Sequence, residues 1–401
     1  MNTEKKRIYL DHAATTAVRP EVREVVSGIL EREYGNPSSF YEEGHRAAHI
    51  LENSRHALAS AIGANDREIT FTSCGSESDN WAIKGSAFAL KQKGRHLITS
   101  KIEHHAVLHS MQWLERQGYE VTYLDVDEYG RVLPETLEAA IRPDTILISI
   151  MMANNEVGTI QDIARLGEIA RQHKILFHSD AVQAFGAIPI DVRELPVDML
   201  SFSGHKLYAP KGVGAFYLRS GIRIDNFLHG GAQEKGKRAG TENLALIAGF
   251  AKAAELAIQE MAENTRHLLE MRDYLMKTIP ERIPHAKLNG HPQQRLPNNL
   301  NFSFEFIEGE SILLLLDALG YACSSGSACT SASLDPSHVL LAMGMPAEIA
   351  HGSLRITMGR ENSMEDVKAF ASDLPAVIQR LREMSPLWED YQKGRIRCLI
   401  P

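Results

Sequence analysis

Lys206 stands in the stretch SGHKLYAPKG, directly after the apolar run VDMLSFS, where we expect a buried strand to end. A lysine held in a partly dry site has a lowered pKa, so its amine can form a Schiff base with an aldehyde. Pyridoxal phosphate is an aldehyde cofactor that also needs a carboxylate facing its pyridine nitrogen. Asp180, which follows the run ILFHS, fits that role. The pair predicts pyridoxal phosphate chemistry; the alternative is a plain surface lysine, as we expect for Lys211 in the same loop.

Small and polar residues also follow the other strand-like runs. After EITFT comes SCGSES, which could bind phosphate at a helix N-terminus, although on this stretch alone a helix cap with Ser76 and Asp79 is the simpler interpretation. The runs HLITSKI, TILISIMM, ILFHS and VDMLSFS are followed by Glu103, His104, His105, Asn154, Asn155, Glu156, Gln183, Gly204 and His205. Ligands of open α/β sheets bind at the carboxyl ends of the strands, so we expect these side chains to surround one crevice.

The strand-like runs alternate with segments of helical period from about residue 68 onward. This alternation predicts a mostly parallel sheet that is covered by helices on both faces. A long Ala- and Glu-rich helical pattern runs from about Thr241 to Met276, and the residues after it indicate a smaller α+β unit. We predict a large domain of residues 14–260 and a small domain of residues 1–13 plus 261–401, with RIYLDHAATT at their junction.

The composition excludes several classes of protein. The chain has 401 residues and a formal net charge of −8, which argues against broad electrostatic binding of nucleic acid. Its apolar runs are too short to cross a bilayer, and the first residues, MNTEKKRIYL, lack the apolar stretch of a secretory signal. Four scattered cysteines do not make a disulfide framework. We therefore predict a cytoplasmic, reduced protein that binds neither membrane nor nucleic acid.

Two of the four cysteines, Cys323 and Cys329, lie in the small-residue stretch YACSSGSACTSAS. Their spacing is poor for zinc, and the chain contains no CxxC or HExxH motif, so we predict no metal site. A disulfide between them is disfavoured in a reducing compartment. Cys323, at the end of a predicted strand, is interpreted as structural, and Cys398, near the end of the sequence, as incidental.

Ten motifs along nearly the whole chain occur in the order of one known family. They are YLDHAATT, YGNPSS, TSCGSES, EHHAVL, NNEVG, HSDAVQ, SFSGHKLYAPKG, RAGTEN, SSGSACTSAS and LRITMGR. On these motifs the chain resembles the cysteine desulfurases of the NifS/IscS type, which are fold-type I pyridoxal phosphate enzymes. The resemblance implies a mostly parallel seven-stranded sheet with a smaller α+β domain, a homodimer, and conversion of L-cysteine to L-alanine. It also implies that sulfur remains on an enzyme cysteine as a persulfide and passes to an acceptor such as an iron–sulfur scaffold protein.

The resemblance assigns roles residue by residue. Lys206 matches the lysine that binds the cofactor covalently, Asp180 the partner of the pyridinium, and Gln183 the residue that hydrogen-bonds the phenolic oxygen. His104 matches the residue that stacks on the ring and a candidate acid/base toward the substrate thiol, which leaves His105 without a role. The residues matched to the phosphate site are Gly75, Ser76, Ser203, His205 and, donated by the partner subunit, Thr241.

The remaining assignments concern the substrate. Asn155 and Arg355 match the groups that hold its carboxylate, a task that suits the guanidinium fork. Asn155 is also placed among the cofactor contacts. Cys329 matches the nucleophile, on a loop of about residues 323–335 that we expect to be mobile so that one sulfur can visit both substrate and acceptor.

The chain departs from the family where Cys74-Gly75-Ser76 replaces the commoner Gly-Ala-Thr. Serine keeps the hydroxyl, so phosphate binding should survive, while Cys74 would be a packing residue or an oxidisable thiol beside the cofactor. Alternatives are a selenocysteine lyase or another lyase or aminotransferase on the same fold, a non-catalytic scaffold, and a zinc module. The scaffold is disfavoured because Lys206, Asp180, His104 and Cys329 are all intact. The acceptor stays open between iron–sulfur assembly, nitrogenase maturation and tRNA thiolation.

Overall fold

A computed structural model describes residues 7–326 and 335–400. Within these residues, seven strands form one central sheet, in the order β2-β8-β7-β6-β5-β3-β4. The strands are β2 (Ile69–Thr72), β3 (His96–Ser100), β4 (Glu120–Leu124), β5 (Thr145–Ser149), β6 (Leu176–Asp180), β7 (Met199–Ser203) and β8 (Gly214–Leu218). Strands β3 to β7 pair in parallel, and β8 runs antiparallel to both of its neighbours. The predicted mostly parallel seven-stranded sheet is confirmed.

Helices cover this sheet because most of its strands are buried along their whole length and need apolar partners on both faces. The flanking helices are α1 (Pro20–Arg32), α2 (Glu42–Ala61), α3 (Gly75–Asn80), α4 (Ser86–Ala89), α5 (His105–Glu115), α6 (Pro134–Ala140) and α7 (Ile163–Gln172). A π-helical turn, Trp81–Gly85, joins α3 to α4. Since each crossover helix starts where a strand ends, several helix starts lie along the carboxyl edge of the sheet.

The long helix α8 (Leu244–Arg282) begins later and ends later than its sequence pattern predicts. The Asn243 side chain caps it by accepting a hydrogen bond from the Leu246 N–H, which sets the start. The helix also continues past Pro280 before it ends. Its first turns pack into the core of the central sheet, and its last turns pack into a second apolar core. The helix thus connects two cores, as expected for a spacer.

The second core lies against a smaller antiparallel sheet in the order β12-β10-β9, and against a two-stranded parallel pair of β1 and β11. Its strands are β1 (Ile8–Tyr9), β9 (Ala286–Leu288), β10 (Asn299–Phe304), β11 (Tyr321–Ala322) and β12 (Ser353–Thr357). The later helices are α9 (Gly309–Leu319), α10 (His338–Ala342), α11 (Ala347–His351), α12 (Met364–Glu383) and α13 (Pro386–Gln392). The domain boundaries themselves stay a prediction. No helix in the described part of the chain combines the length and apolar character needed to cross a membrane.

Candidate active site

A cavity of about 260 Å³ lies at the carboxyl edge of the central sheet. Among its lining residues are ten that the sequence predicted: Gly75, Ser76, His104, Asn155, Asp180, Gln183, Ser203, His205, Lys206 and Arg355. Thr241 is exposed and does not line the cavity of its own chain. Cys329 lies outside the described residues, as does most of the predicted 323–335 loop. Residues that follow the strands of the sheet therefore do line one crevice, as predicted from the rule that ligands bind at the carboxyl ends of parallel strands.

Lys206 closes a single 3-10 turn, Gly204–Lys206, that directly follows β7. Its Nζ donates hydrogen bonds to the backbone oxygens of Ala13 and Ala14, at 2.6 and 2.7 Å. These two carbonyls belong to the segment that follows β1, so the N-terminal part of the chain fixes the amine at the cavity. Both alanines belong to the motif YLDHAATT, but the sequence predicts no role for their backbone atoms.

Asp180 is the last residue of β6, and its carboxyl group is buried at the cavity floor. Burial raises the pKa of Asp180 to about 6, while a hydrogen bond from the Val182 N–H and the charge of Lys206 act in the opposite direction. The Val182 bond is 2.9 Å long. A carboxylate with one cation nearby and one backbone donor suits a partner for a protonated ring nitrogen.

His104 caps α5, and its Nδ1 accepts a hydrogen bond from the Ala106 N–H at 3.1 Å. Burial, with the charge of Lys206 second, lowers the pKa of His104 to about 4, so the ring is neutral at neutral pH. Because Nδ1 is an acceptor, the proton of the neutral ring is on Nε2. His105 also lines the cavity, and its ring lies 4.8 Å from that of His338.

Arg355 lies in the middle of β12 and is only 2% exposed. Its guanidinium donates to Asp11 Oδ1 at 2.8 Å, to the Asn155 backbone oxygen at 3.2 Å and to the Gly326 oxygen at 3.1 Å. Its Nε is buried without a partner. The group is thus held in place and still has a donor to offer, as a carboxylate-binding residue requires.

The residues around the cavity fit pyridoxal phosphate. The Ser203 hydroxyl is buried and has no hydrogen-bond partner in the protein, as expected for a group that donates a hydrogen bond to a bound ligand. Gly75 leaves no space for a side chain, since a Cβ there would lie 2.7 Å from Val182 Cγ2. The capping interpretation of Ser76 and Asp79 is wrong, because both lie inside α3, and its N-cap residue, Cys74, makes no side-chain cap.

Two residues at or near the cavity, Asp11 and Asp79, have contacts that the sequence did not predict. Asp11 anchors Arg355, and Asp79 lines the cavity. Asp11 follows β1, which lies outside the central sheet, and Asp79 lies inside α3, so neither is among the residues that follow the central strands. Cys74 also lines the cavity.

The two other described cysteines lie away from the cavity. Cys323 packs against the second core, and burial raises the pKa of its thiol, as expected for a structural cysteine. Cys398 was interpreted as incidental, but its sulfur contacts Glu305 Oε2 at 2.7 Å and His285 Nδ1 at 2.9 Å. These contacts attach the last residues described to His285, which precedes β9, and to Glu305, which follows β10.

Comparisons with known proteins agree with this geometry. The family described as "Aminotransferase class-V" matches residues 8–370. A relative named cysteine desulfurase IscS, from Methanosarcina thermophila, is 57% identical over 387 residues, which are 96% of each chain. One from Clostridium botulinum is 52% identical over 392 residues, covering 97% of this chain and 99% of the relative.

Solved structures give the same result. A structure titled "NIFS-LIKE PROTEIN" superposes with a TM-score of 0.88 at 38% identity, covering 94% of this chain and 100% of the other. Another, titled "SspA in complex with cysteine", has a TM-score of 0.79 at 36% identity and covers 88% and 99% of the two chains. Both likenesses extend over most of this chain and nearly all of the other.

Proposed function

This chain belongs to the class-V aminotransferase family, and we propose that it is a pyridoxal-phosphate-dependent cysteine desulfurase. It converts L-cysteine to L-alanine and transfers the sulfur to Cys329, from which an acceptor protein takes it. One observation carries the proposal: Lys206, Asp180, His104 and Arg355 line a single cavity in a chain that is 57% identical to a named cysteine desulfurase.

Each side of the cavity supplies one part of a cofactor site. Lys206 would hold the cofactor covalently, and Asp180 and Gln183 would bind its ring, over which His104 would stack. The phosphate would be held by Gly75, Ser76, Ser203 and His205. When bound, the cofactor supplies an electron sink for the charge that develops at the substrate α-carbon.

The substrate carboxylate would bind between Arg355 and the side chain of Asn155. The unpartnered Nε of Arg355 supports this role, since a fork with a free donor pairs well with a carboxylate oxygen. Asp11 keeps the guanidinium in position by accepting a hydrogen bond from its Nη2. Asn155 contributes its backbone oxygen to the same arrangement.

The chain itself would perform the proton transfers and the sulfur transfer. The amine of Lys206 would move the proton at the substrate α-carbon, and the Nε2 proton of neutral His104 would assist at the substrate sulfur. The Cys329 thiolate would attack that sulfur, so that a sulfur–sulfur bond forms while the carbon–sulfur bond breaks and the electron pair stays with carbon. The nucleophile is assigned from the sequence motif alone.

The proposal includes a homodimer in which Thr241 of each subunit reaches the phosphate site of the other. Thr241 is exposed and is not among the residues that line the cavity of its own chain, which supports this role. The sulfur acceptor would be a protein such as an iron–sulfur scaffold. A cytoplasmic location remains part of the proposal.

The cofactor assignment is tested by spectroscopy. Purified protein supplied with pyridoxal phosphate is expected to show the visible absorbance of a lysine-bound aldehyde, and Lys206→Ala is expected to remove it. Lys211→Ala, in the same loop, is the matched control. Retention of that absorbance in Lys206→Ala would contradict the role of the lysine.

The nucleophile is tested by the product. Cys329→Ser is expected to keep the cofactor and bind L-cysteine but to release no sulfide, whereas Cys398→Ser should turn over normally. Normal turnover by Cys329→Ser would show that another group accepts the sulfur. Formation of a keto acid instead of alanine would favour an aminotransferase.

A further inference from the structure

Asp79 is a buried carboxyl group beside the cofactor site for which the proposed function has no use. It lies in α3, is 1% exposed and lines the cavity. Its Oδ1 lies 3.7 Å from His178 Nε2 and makes no hydrogen bond. Its carboxyl also bonds the hydroxyl of Ser201, which in turn lies 3.0 Å from the same histidine nitrogen.

Strand geometry places Asp180 in this same polar group. His178 and Asp180 are two residues apart on β6, so their side chains point to one face of the sheet. Ser201 on β7 is the register partner of Asp180 and faces the same way. Asp79, from the helix that packs over this face, thus covers the strand residues on which the cofactor site is built.

The groups that face Asp79 offer it no positive charge. They are Asp180 from β6, Glu103 from the end of the β3 segment, Cys74 from the start of α3, and His178. Burial lowers the pKa of His178 to about 3 and raises that of Glu103 to about 8, so both are neutral at neutral pH. Burial and the nearby Asp180 charge likewise raise the pKa of Asp79.

Asp180 is surrounded differently. It accepts the Val182 N–H at 2.9 Å and feels the positive charge of Lys206, and both favour its ionised form. Two buried carboxyl groups whose charges act on each other cannot both be ionised at moderate cost, so one of them keeps a proton. The surroundings assign that proton to Asp79.

We propose that Asp79 is a positioning residue that holds the one proton of two buried, interacting carboxyl groups and so keeps the single negative charge on Asp180. The inference rests on the proposed cofactor site and specifies how that site is charged. Asp79 contributes no charge of its own to the cofactor. It acts through Asp180, because removing Asp180 lets Asp79 ionise in its place.

Cofactor affinity of the apoprotein, measured against pH, tests this division of charge. Asp79→Asn keeps the size of the side chain and stays neutral at every pH, so we expect pyridoxal phosphate to bind within about threefold of wild type. Asp180→Asn is expected to weaken binding by about tenfold or more. As the pH rises, Asp79 ionises in that variant and restores part of the affinity.

The double variant Asp79→Asn/Asp180→Asn isolates the effect. All other titrating groups are the same as in Asp180→Asn, so only the single variant should recover affinity as the pH rises. A merely structural role for Asp79 would not produce this difference. The inference is overturned if both variants follow one pH profile, or if Asp79→Asn alone loses about tenfold in affinity.

A second measurement does not depend on the stability of the Asp180 variants. The infrared spectrum of the wild-type holoenzyme at neutral pH should contain a band from protonated carboxyl groups. Asp79→Asn should remove one component of that band, and Glu103→Gln should remove another. An unchanged band in Asp79→Asn, shown by circular dichroism to be folded, would also overturn the inference. If the proposed function itself were wrong, the wild-type protein would not bind pyridoxal phosphate or would form no alanine from L-cysteine.

Discussion

Arg55 and Arg355 are both almost completely buried, but their surroundings are built for different purposes. Arg55 meets Glu234 through two parallel bonds of 2.7 and 2.9 Å and also donates to the Ile69 oxygen and to Glu52. Arg355 meets one oxygen of Asp11, and its Nε has no partner. Arg55 lies away from the cavity, whereas Arg355 lines it. The guanidinium of Arg55 is thus saturated by the fold, whereas that of Arg355 keeps one donor available for a ligand.

The Arg55–Glu234 ion pair stabilises a strained turn. Glu234 and Lys235 both have positive φ, of 48° and 58°, which is costly for residues other than glycine. The Glu234 carboxylate also accepts the Phe71 N–H at 2.8 Å, so it joins this strained turn to β2. The ion pair therefore holds a turn that local preferences would not produce.

The largest expected effect is on stability, at Arg55. Arg55→Ala leaves Glu234 buried without its cation, which should reduce the free energy of unfolding by about 3–5 kcal/mol. Arg46→Ala, which removes exposed pairs with Glu33 and Glu42, should cost about 1 kcal/mol or less. Urea denaturation of the three proteins measures both values. If Arg55→Ala lowered the free energy of unfolding no more than Arg46→Ala does, the buried ion pair of Arg55 would not stabilise the fold as proposed.

The next effect is on substrate binding, at Arg355. Arg355→Ala should weaken L-cysteine binding by about 1.5–3 kcal/mol while the cofactor spectrum is retained, because a charged donor to the carboxylate is lost. Arg355→Lys keeps the charge and should recover part of the affinity. Steady-state kinetics and substrate titration of the holoenzyme measure the change. An effect confined to sulfur transfer, with unaltered binding, would contradict the assigned role.

The smallest effect should be found at Asp11. Asp11→Asn keeps an acceptor oxygen but removes the charge that fixes the guanidinium, so the KM for L-cysteine should rise by a factor that corresponds to about 0.5–1 kcal/mol. The free energy of unfolding should hardly change, in contrast to the Arg55 pair. A fall in KM would instead mean that the Asp11 charge competes with the substrate carboxylate.

The sequence predicted those parts of the molecule that follow from local pattern. Strand-like runs predicted the mostly parallel sheet, and the residues after them predicted a crevice that contains Lys206, Asp180 and His104, because parallel strands end at one edge. The end of α8 was missed, since a proline near the predicted end, Pro280, lies inside the helix.

Contacts between distant segments could not be predicted in this way. The pairing of Asp11 with Arg355 spans 344 positions, and no local rule selects it. Asp79 was read as a possible cap from its position near the start of α3, whereas its environment comes from β6 and β7. The roles of both residues depend on neighbours that only the fold brings together.

The N-terminal segment has a consequence for how the protein is made. Asp11 and His12 are synthesised 344 and 345 positions before their partners on β12. A chain still on the ribosome, or cut before β12, contains Lys206 and Asp180 but lacks the arginine that would recognise the substrate. Contacts of such long range also carry a loop-closure cost that slows folding. A chain must therefore extend through β12 before it contains both of the residues proposed to hold the carboxylate of L-cysteine.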